Sequence, residues 1–340
     1  MIALSSVLVF AFCLSWAVTY FFIKYARRIN LVDVPNSRSS HTIPTPRGGG
    51  VAIVVSFALA LLIFSFINVL EWKYTFVLVF VGVSVALIGF IDDHGHVPAV
   101  WRLLVHFAAS IFVINFISMG TEKFIPKYAT DYIWIINCIS VIFFVWFINL
   151  FNFMDGIDCL AGGEAITVSV CMSVIYFYTG NNELVLPPLA LAAAVGGLIY
   201  WNIPPAQVFM GDTGSGFLGA ILGIIAIYSI SVDPVFLWSW LIMLAVFITD
   251  ATFTLIHRII CRLKIFEAHR THAYQHAAFM LRSHSKVVLI VLIINFVWLF
   301  PISFAVSTKI LGVVTGLALA FIPLIIIVWI LRAVKDGNEL

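Results

Sequence analysis

The sequence predicts an all-α polytopic membrane protein with about 11 transmembrane helices, its N-terminus outside and its C-terminus cytoplasmic. Three observations predict it. Hydrophobic residues fill 63% of the 340 positions and charged residues only 10%, with a mean hydropathy of +1.12, a balance that no soluble globular domain sustains. Apolar stretches close to the roughly 20 residues needed to cross a bilayer recur along the whole chain. Cations divide unevenly between the two sets of connecting loops: 14 fall where odd-numbered spans end and only Lys73, Lys123, Lys127 and Lys309 on the other face. That asymmetry makes the first face cytoplasmic.

The expected spans run roughly over 3–23, 50–68, 74–91, 100–118, 133–151, 162–179, 184–200, 214–231, 235–256, 287–305 and 311–331. Residues 1–340 then form a single integral-membrane domain, with cytoplasmic loops at about 24–49, 92–99, 152–162, 201–214 and 257–286. The first span has no basic n-region or A-x-A site, and Lys24, Arg27 and Arg28 follow it, so it is expected to stay as an anchor. Cys13, Cys138, Cys159, Cys171 and Cys261 lie in or near spans without a C-x-x-C pair, as small apolar fillers rather than a disulfide framework or thiolate metal site.

In the first cytoplasmic loop, Arg27 and Arg28 are explained by anionic headgroups. Arg47, followed by Gly48, Gly49 and Gly50 at the mouth of the second span, offers backbone N–H groups that can bind an anion. Span three ends in Gly89-Phe-Ile-Asp92-Asp93-His94-Gly-His96, with Arg102 opening span four. Adjacent carboxylates repel unless a cation or donor lies between them, and they are hard oxygen ligands suited to magnesium or manganese.

The most informative stretch is 149–164, where Asn149, Asn152, Asp155 and Asp158 follow a run from Ile133 to Ile148 without one charged side chain. Neighbouring members of this set share a helix face, and Gly156 or the Gly162-Gly163 pair is expected to break the helix. Span eight opens with Met210-Gly211-Asp212-Thr213-Gly214-Ser215-Gly216. There the glycines admit close backbone approach and Thr213 or Ser215 can cap the helix. Asp250 near the end of span nine reads equally as an ion-pair partner of Arg258 or as a functional acid. In the last long loop His269, His272 and His276 would share one face of a helix. With no cysteine or H-E-x-x-H nearby, phosphate or substrate contact is favoured over zinc.

These polar stretches follow spans one, three, five, seven and nine. All therefore fall on the cytoplasmic face, where Asp92, Asp93, Asp155, Asp158 and Asp212 can meet with Arg47, Arg102 and Arg270 around them. Clustered carboxylates, a divalent cation and anion-binding turns on a lipid-facing scaffold point to phosphoryl transfer with a membrane-borne reactant. The competing class is a transporter with an intramembrane carboxylate site, which would carry its charges at mid-span and show inverted repeats.

Five stretches, P-T-P-R-G-G-G at 44–50, G-F-I-D-D at 89–93, N-L-F-N-F-M-D-G-I-D-C-L-A-G-G at 149–163, V-F-M-G-D-T-G-S at 208–215 and H-R-T-H-A-Y-Q at 269–275, resemble the polyprenyl-phosphate N-acetylhexosamine-1-phosphate transferase superfamily. That superfamily also includes the bacterial phospho-N-acetylmuramoyl-pentapeptide translocase. The resemblance implies transfer of a sugar 1-phosphate from a UDP-sugar of the N-acetylhexosamine type to undecaprenyl phosphate, releasing UMP, with Mg2+ or Mn2+ as cofactor. It implies catalytic roles for Asp92, Asp93 and Asp155, and metal ligation by Asp212, Asp155 and Asp93, with Asp212 the most direct ligand. Substrate contacts are expected from His41, Arg47, Arg102, Asn152, Asp158, Gly211, His269, Arg270 and His272.

Two departures bear on the donor. Where many relatives carry H-x-H-H, this chain has His272-Ala-Tyr274-Gln275, and His94-Gly-His96 stands where the translocase branch tends to have lysine. Together they resemble the branch that initiates O-antigen and related surface polysaccharides at the bacterial inner membrane. The expected partners are the two substrates and the bilayer, with no nucleic acid and with the oligomeric state open.

Overall fold

The computed structural model describes residues 2–28, 31–35, 43–95, 97–121, 133–263 and 270–338. Fourteen α-helices dominate it: α1 (Ile2–Arg28), α2 (Val51–Phe66), α3 (Trp72–His94), α4 (Ala99–Thr121), α5 (Ile133–Met154), α6 (Leu160–Tyr178), α7 (Leu186–Asn202), α8 (Gly211–Ser229), α9 (Val235–Met243), α10 (Ala245–Ile260), α11 (Ala273–Leu281), α12 (His284–Ile293), α13 (Phe300–Ser307) and α14 (Val313–Asn338). The two short strands β1 (Val32–Asp33) and β2 (Thr45–Pro46) pair antiparallel.

A helix covers every expected span, but the count differs. Among the described residues nine helices are long and apolar enough to cross a membrane, or up to ten if a bent pair is one span. Val51–Phe66 has only 16 residues, short of a full crossing. The expected span 235–256 is divided into α9 and α10, which meet at Leu244 with a 73° bend. Residues Ile294–Leu299 form a π-helical turn that joins α12 to α13.

Helix α8 is the axis of the bundle, with all but two of its 19 residues buried. Its small residues let other backbones come close. Gly219 rests on the backbone of Phe147 and Ile148 in α5, Gly89 of α3 on that of Asp212 and Thr213, and Gly214 against Gly50. A side chain at Gly50 would collide with Gly214. Around this axis α1 packs on α2 and α7, α6 on α7, and α14 on α9, α10 and α11.

Of the two glycine positions expected to break the helix, Gly156 does so: α5 ends at Met154 and the break runs over 155–159, whereas Gly162 and Gly163 lie inside α6. One expectation about local structure is corrected. Helix α11 begins only at Ala273, so His272 precedes it and shares no helical face with His276; His269 lies outside the described residues.

Candidate active site

Helix α3 stops at His94, which leaves Asp92 and Asp93 in its last turn. The side chain of Asp93 is wholly buried and it caps a helix from another part of the chain. Its Oδ1 accepts the N–H of Asp212 at 2.9 Å, and its Oδ2 accepts the N–H of Thr213 at 3.0 Å and that residue's hydroxyl at 2.6 Å. These are orphan donors at the start of α8, where a negative charge is further stabilised by the helix dipole. Gly211, at φ +73°, leaves room for the Asp93 carboxylate, since any Cβ there would strike it. Thr213 and Ser215 thus do not cap α8: Thr213 donates to the cap, and the Ser215 hydroxyl bonds back to Gly211 O at 3.1 Å.

The triple glycine is likewise committed to the fold. Gly49 N–H donates to Phe209 O at 3.0 Å, Gly50 N–H to Met210 O at 2.9 Å, and Phe209 N–H to Pro46 O at 2.8 Å. Two of the three glycine donors of the expected anion cradle are therefore used in a pairing between the 46–50 and 209–210 segments. What that pairing delivers is Arg47.

Arg47 and Arg102 each straddle two carboxylates. Arg47 donates from Nε to Asp93 Oδ1 at 2.8 Å and from Nη2 to Asp212 Oδ1 at 2.7 Å. Arg102, reaching in from α4, places Nη1 2.8 Å from Asp92 Oδ2 and 2.6 Å from Asp212 Oδ2. Asp92 also accepts the N–H of Val97 at 2.7 Å. Burial alone would lower the pKa of Arg47, but the charges of Asp212 and Asp93 outweigh it and hold the guanidinium above its ordinary value.

Asp155 stands beside this lattice without joining it: among the described residues its carboxylate has no hydrogen-bond partner. Burial first, then the negative charge of Asp212, raises its pKa well above the usual carboxylate range. Asn152, one turn earlier, donates to Ser215 Oγ of α8 at 3.2 Å. Asp158 accepts the N–H of Ala206 at 3.3 Å and lies 3.6 Å from His284 Nδ1, and it ties the turn to the segment before α8.

The 270–275 segment is organised by Asp250, a residue whose role the sequence left undecided. Asp250 accepts from the backbones of Ala273 and Tyr274, both at 2.9 Å, and from His272 Nδ1 at 3.2 Å. His272 is buried and its ring is turned to Asp250. Arg270 is exposed at the start of this described segment, and His41, like His269, lies outside the described residues.

The chemistry of the cluster fits a divalent cation. Asp92, Asp93, Asp155 and Asp212 set four carboxyl groups around the two guanidinium groups of Arg47 and Arg102, and all the donors are hard oxygens. Among the described residues no three His, Cys, Asp or Glu side chains converge closely enough to ligate a metal as they stand.

A helical membrane protein whose carboxylates and arginines gather at the ends of α3, α5 and α8 has the makings of a phosphoryl-transfer enzyme. Residues 74–230 match glycosyl transferase family 4. The chain is 31% identical over 241 residues to the phospho-N-acetylmuramoyl-pentapeptide-transferase of Caldanaerobacter subterraneus, covering 65% of this chain and 75% of that protein. It is 28% identical over 313 residues, 90% of this chain and 84% of the relative, to the "Probable undecaprenyl-phosphate N-acetylglucosaminyl 1-phosphate transferase" of Bacillus subtilis. The decaprenyl-phosphate N-acetylglucosaminephosphotransferase of Mycolicibacterium smegmatis is 25% identical over 365 aligned positions, 95% of this chain and 88% of the relative. The chain belongs to the polyprenyl-phosphate sugar-phosphate transferase superfamily.

Proposed function

We propose that this protein transfers an N-acetylhexosamine 1-phosphate from a UDP-sugar to undecaprenyl phosphate. The products are undecaprenyl-diphosphate-sugar and UMP, and the reaction initiates an O-antigen-like surface polysaccharide. It takes place at the cytoplasmic face of the bacterial inner membrane. The observation that carries this reading is the meeting of Arg47, Asp92, Arg102, Asp155 and Asp212, drawn from four of the five motif stretches and from α4, at one end of the bundle. The similarity to an undecaprenyl-phosphate N-acetylglucosaminyl 1-phosphate transferase and to a decaprenyl-phosphate N-acetylglucosaminephosphotransferase supports it.

In this mechanism an oxygen of the lipid phosphate attacks the β-phosphorus of the UDP-sugar, and the bond from that phosphorus to the bridging oxygen breaks to release UMP. Asp92 accepts the proton of the lipid phosphate or aligns its oxygen, held by Arg102 and the Val97 N–H. Arg47 and Arg102 present guanidinium forks that match phosphate oxygens, and exposed Arg270 is assigned to the diphosphate, while the buried His272 ring is held by Asp250. We assign the Mg2+ or Mn2+ to Asp212, whose side chain is partly exposed, and to Asp155, which no described residue hydrogen-bonds, rather than to Asp93, whose side chain is wholly buried between α8 and Arg47. When bound, the cation offsets the charge of the diphosphate and of the developing leaving group.

The test is incubation of the purified protein with undecaprenyl phosphate and a panel of radiolabelled UDP-sugars, followed by lipid extraction. Label passing to the lipid from one UDP-N-acetylhexosamine is the expected result. Label that stays aqueous with every donor overturns the proposal.

A further inference from the structure

Helix α11 has nine residues, too few to be stable alone in water, so its direction is set by what holds its first turn. That holder is Asp250, 3% exposed. Its Oδ1 takes the Ala273 N–H and its Oδ2 the Tyr274 N–H, while Thr254 Oγ1 donates to Oδ1 at 3.2 Å from one turn along α10. Arg332 of α14 adds a bond from Nη2 to Thr271 O at 3.2 Å. The segment is thus gripped from two helices, α10 and α14.

On the near side it ends in Tyr274, itself buried. The Tyr274 hydroxyl donates to Phe153 O at 3.1 Å, one of the carbonyls that the end of α5 leaves without an intrahelical partner. The same hydroxyl lies over Gly156, where any Cβ would collide with it. The rings of Phe153, His272 and Tyr274 follow one another, with centroids 6.3 and 5.6 Å apart. Tyr274 therefore touches the chain at 153 and at 156, on both sides of Asp155, whose own carboxylate no hydrogen bond fixes.

We infer that Asp250 and Tyr274 are positioning residues for Asp155: Asp250 sets the first turn of α11, and Tyr274 clasps the Phe153–Gly156 turn in which Asp155 stands. The inference rests on the phosphotransfer reading for its kinetic consequence but not for its structural one. Fixing a reacting group in place contributes to turnover rather than to ground-state binding.

The experiment uses the full-length protein in detergent with Tyr274→Phe, which deletes one hydroxyl, and Asp250→Ala. Expected for Tyr274→Phe is a fall in kcat of roughly tenfold, about 1.4 kcal/mol, with KM for both substrates within about twofold. Hydrogen–deuterium exchange is expected to speed up over residues 153–158 in both variants and to stay unchanged in α3 and α8. Should Asp250→Ala fail to fold, Tyr274→Phe decides the matter alone. Wild-type exchange over 153–158 in Tyr274→Phe, or faster exchange with unaltered kcat, overturns the inference. A wild-type protein that transfers no sugar phosphate overturns the proposed function instead, while the exchange result still judges the clasp.

Discussion

Asp93 and Thr213, 120 positions apart, are joined twice through one oxygen: Oδ2 of Asp93 accepts both the backbone N–H and the hydroxyl of Thr213. A residue expected to do chemistry is thereby committed to starting a helix. Thr213→Val removes one of these bonds and is expected to cost about 1 kcal/mol of stability. Asp93→Asn, which turns an amide N–H toward donors, is expected to cost roughly 1 to 2 kcal/mol. Thermal unfolding in detergent measures both, and an Asp93→Asn protein as stable as wild type would show that α8 starts without this cap.

Asp92 and Asp212 differ from Asp93 in being partly exposed, and Asp155 differs in having no hydrogen-bond partner among the described residues. Replacement of each by Asn keeps the shape and removes the charge, and is expected to lower turnover by at least two to three orders of magnitude, roughly 3 to 4 kcal/mol. Direct attack by the lipid phosphate is the preferred mechanism. Its rival, Asp155 carrying the phosphosugar covalently, predicts a burst of UMP without lipid acceptor, equal to enzyme concentration and lost in Asp155→Asn. Direct attack predicts no burst.

The proposed reaction and the hard-oxygen donors of the cluster lead to an expected metal requirement. Chelation is expected to abolish turnover, and added magnesium or manganese to restore it. Zinc is expected to be absent from purified protein, because the His272 ring is paired with Asp250. Full activity in chelated buffer, or one zinc per chain by elemental analysis, would contradict these expectations in turn.

The sidedness of the site is open to thiol chemistry. Cys261, at the end of α10, is exposed, and a cysteine replacing Gly95 meets nothing within 4 Å. Both are expected to react with an impermeant reagent only after the membrane is opened. Cys159 serves as an internal control: burial, and then the charge of Asp158, push its thiol up to about 12. A raised thiol pKa keeps the proton on sulfur, so Cys159 stays unreactive at neutral pH and gains thiolate only toward that value. Labelling of Cys261 in intact cells would invert the proposed topology.

The helices were legible because apolar length is a local property, and the Asp155 turn because a glycine follows it directly. What stayed hidden were the long-range uses of polar and small residues. Gly49 and Gly50 read as an anion cradle, yet a composition of glycines is the same whether their N–H groups face a ligand or the backbone at Phe209 and Met210. Asp93 and Asp250 cap α8 and α11 across large sequence separations, so no pattern within a window of either helix discloses the partner. The bend at Leu244 was invisible because the apolar run is continuous through it, with Trp240, Leu241, Ile242, Met243 and Leu244 in succession.

Arg47 and Arg102 both hold Asp212 while each also holds a second carboxylate, so under the proposed function the two kinds of ligand would not bind independently. Asp212 could hold a cation only as the two guanidinium groups let go of it, and those groups would then be available to phosphate oxygens. Thermodynamic reciprocity would require each ligand to raise the other's affinity by the same factor, and the donor and its metal would be captured together.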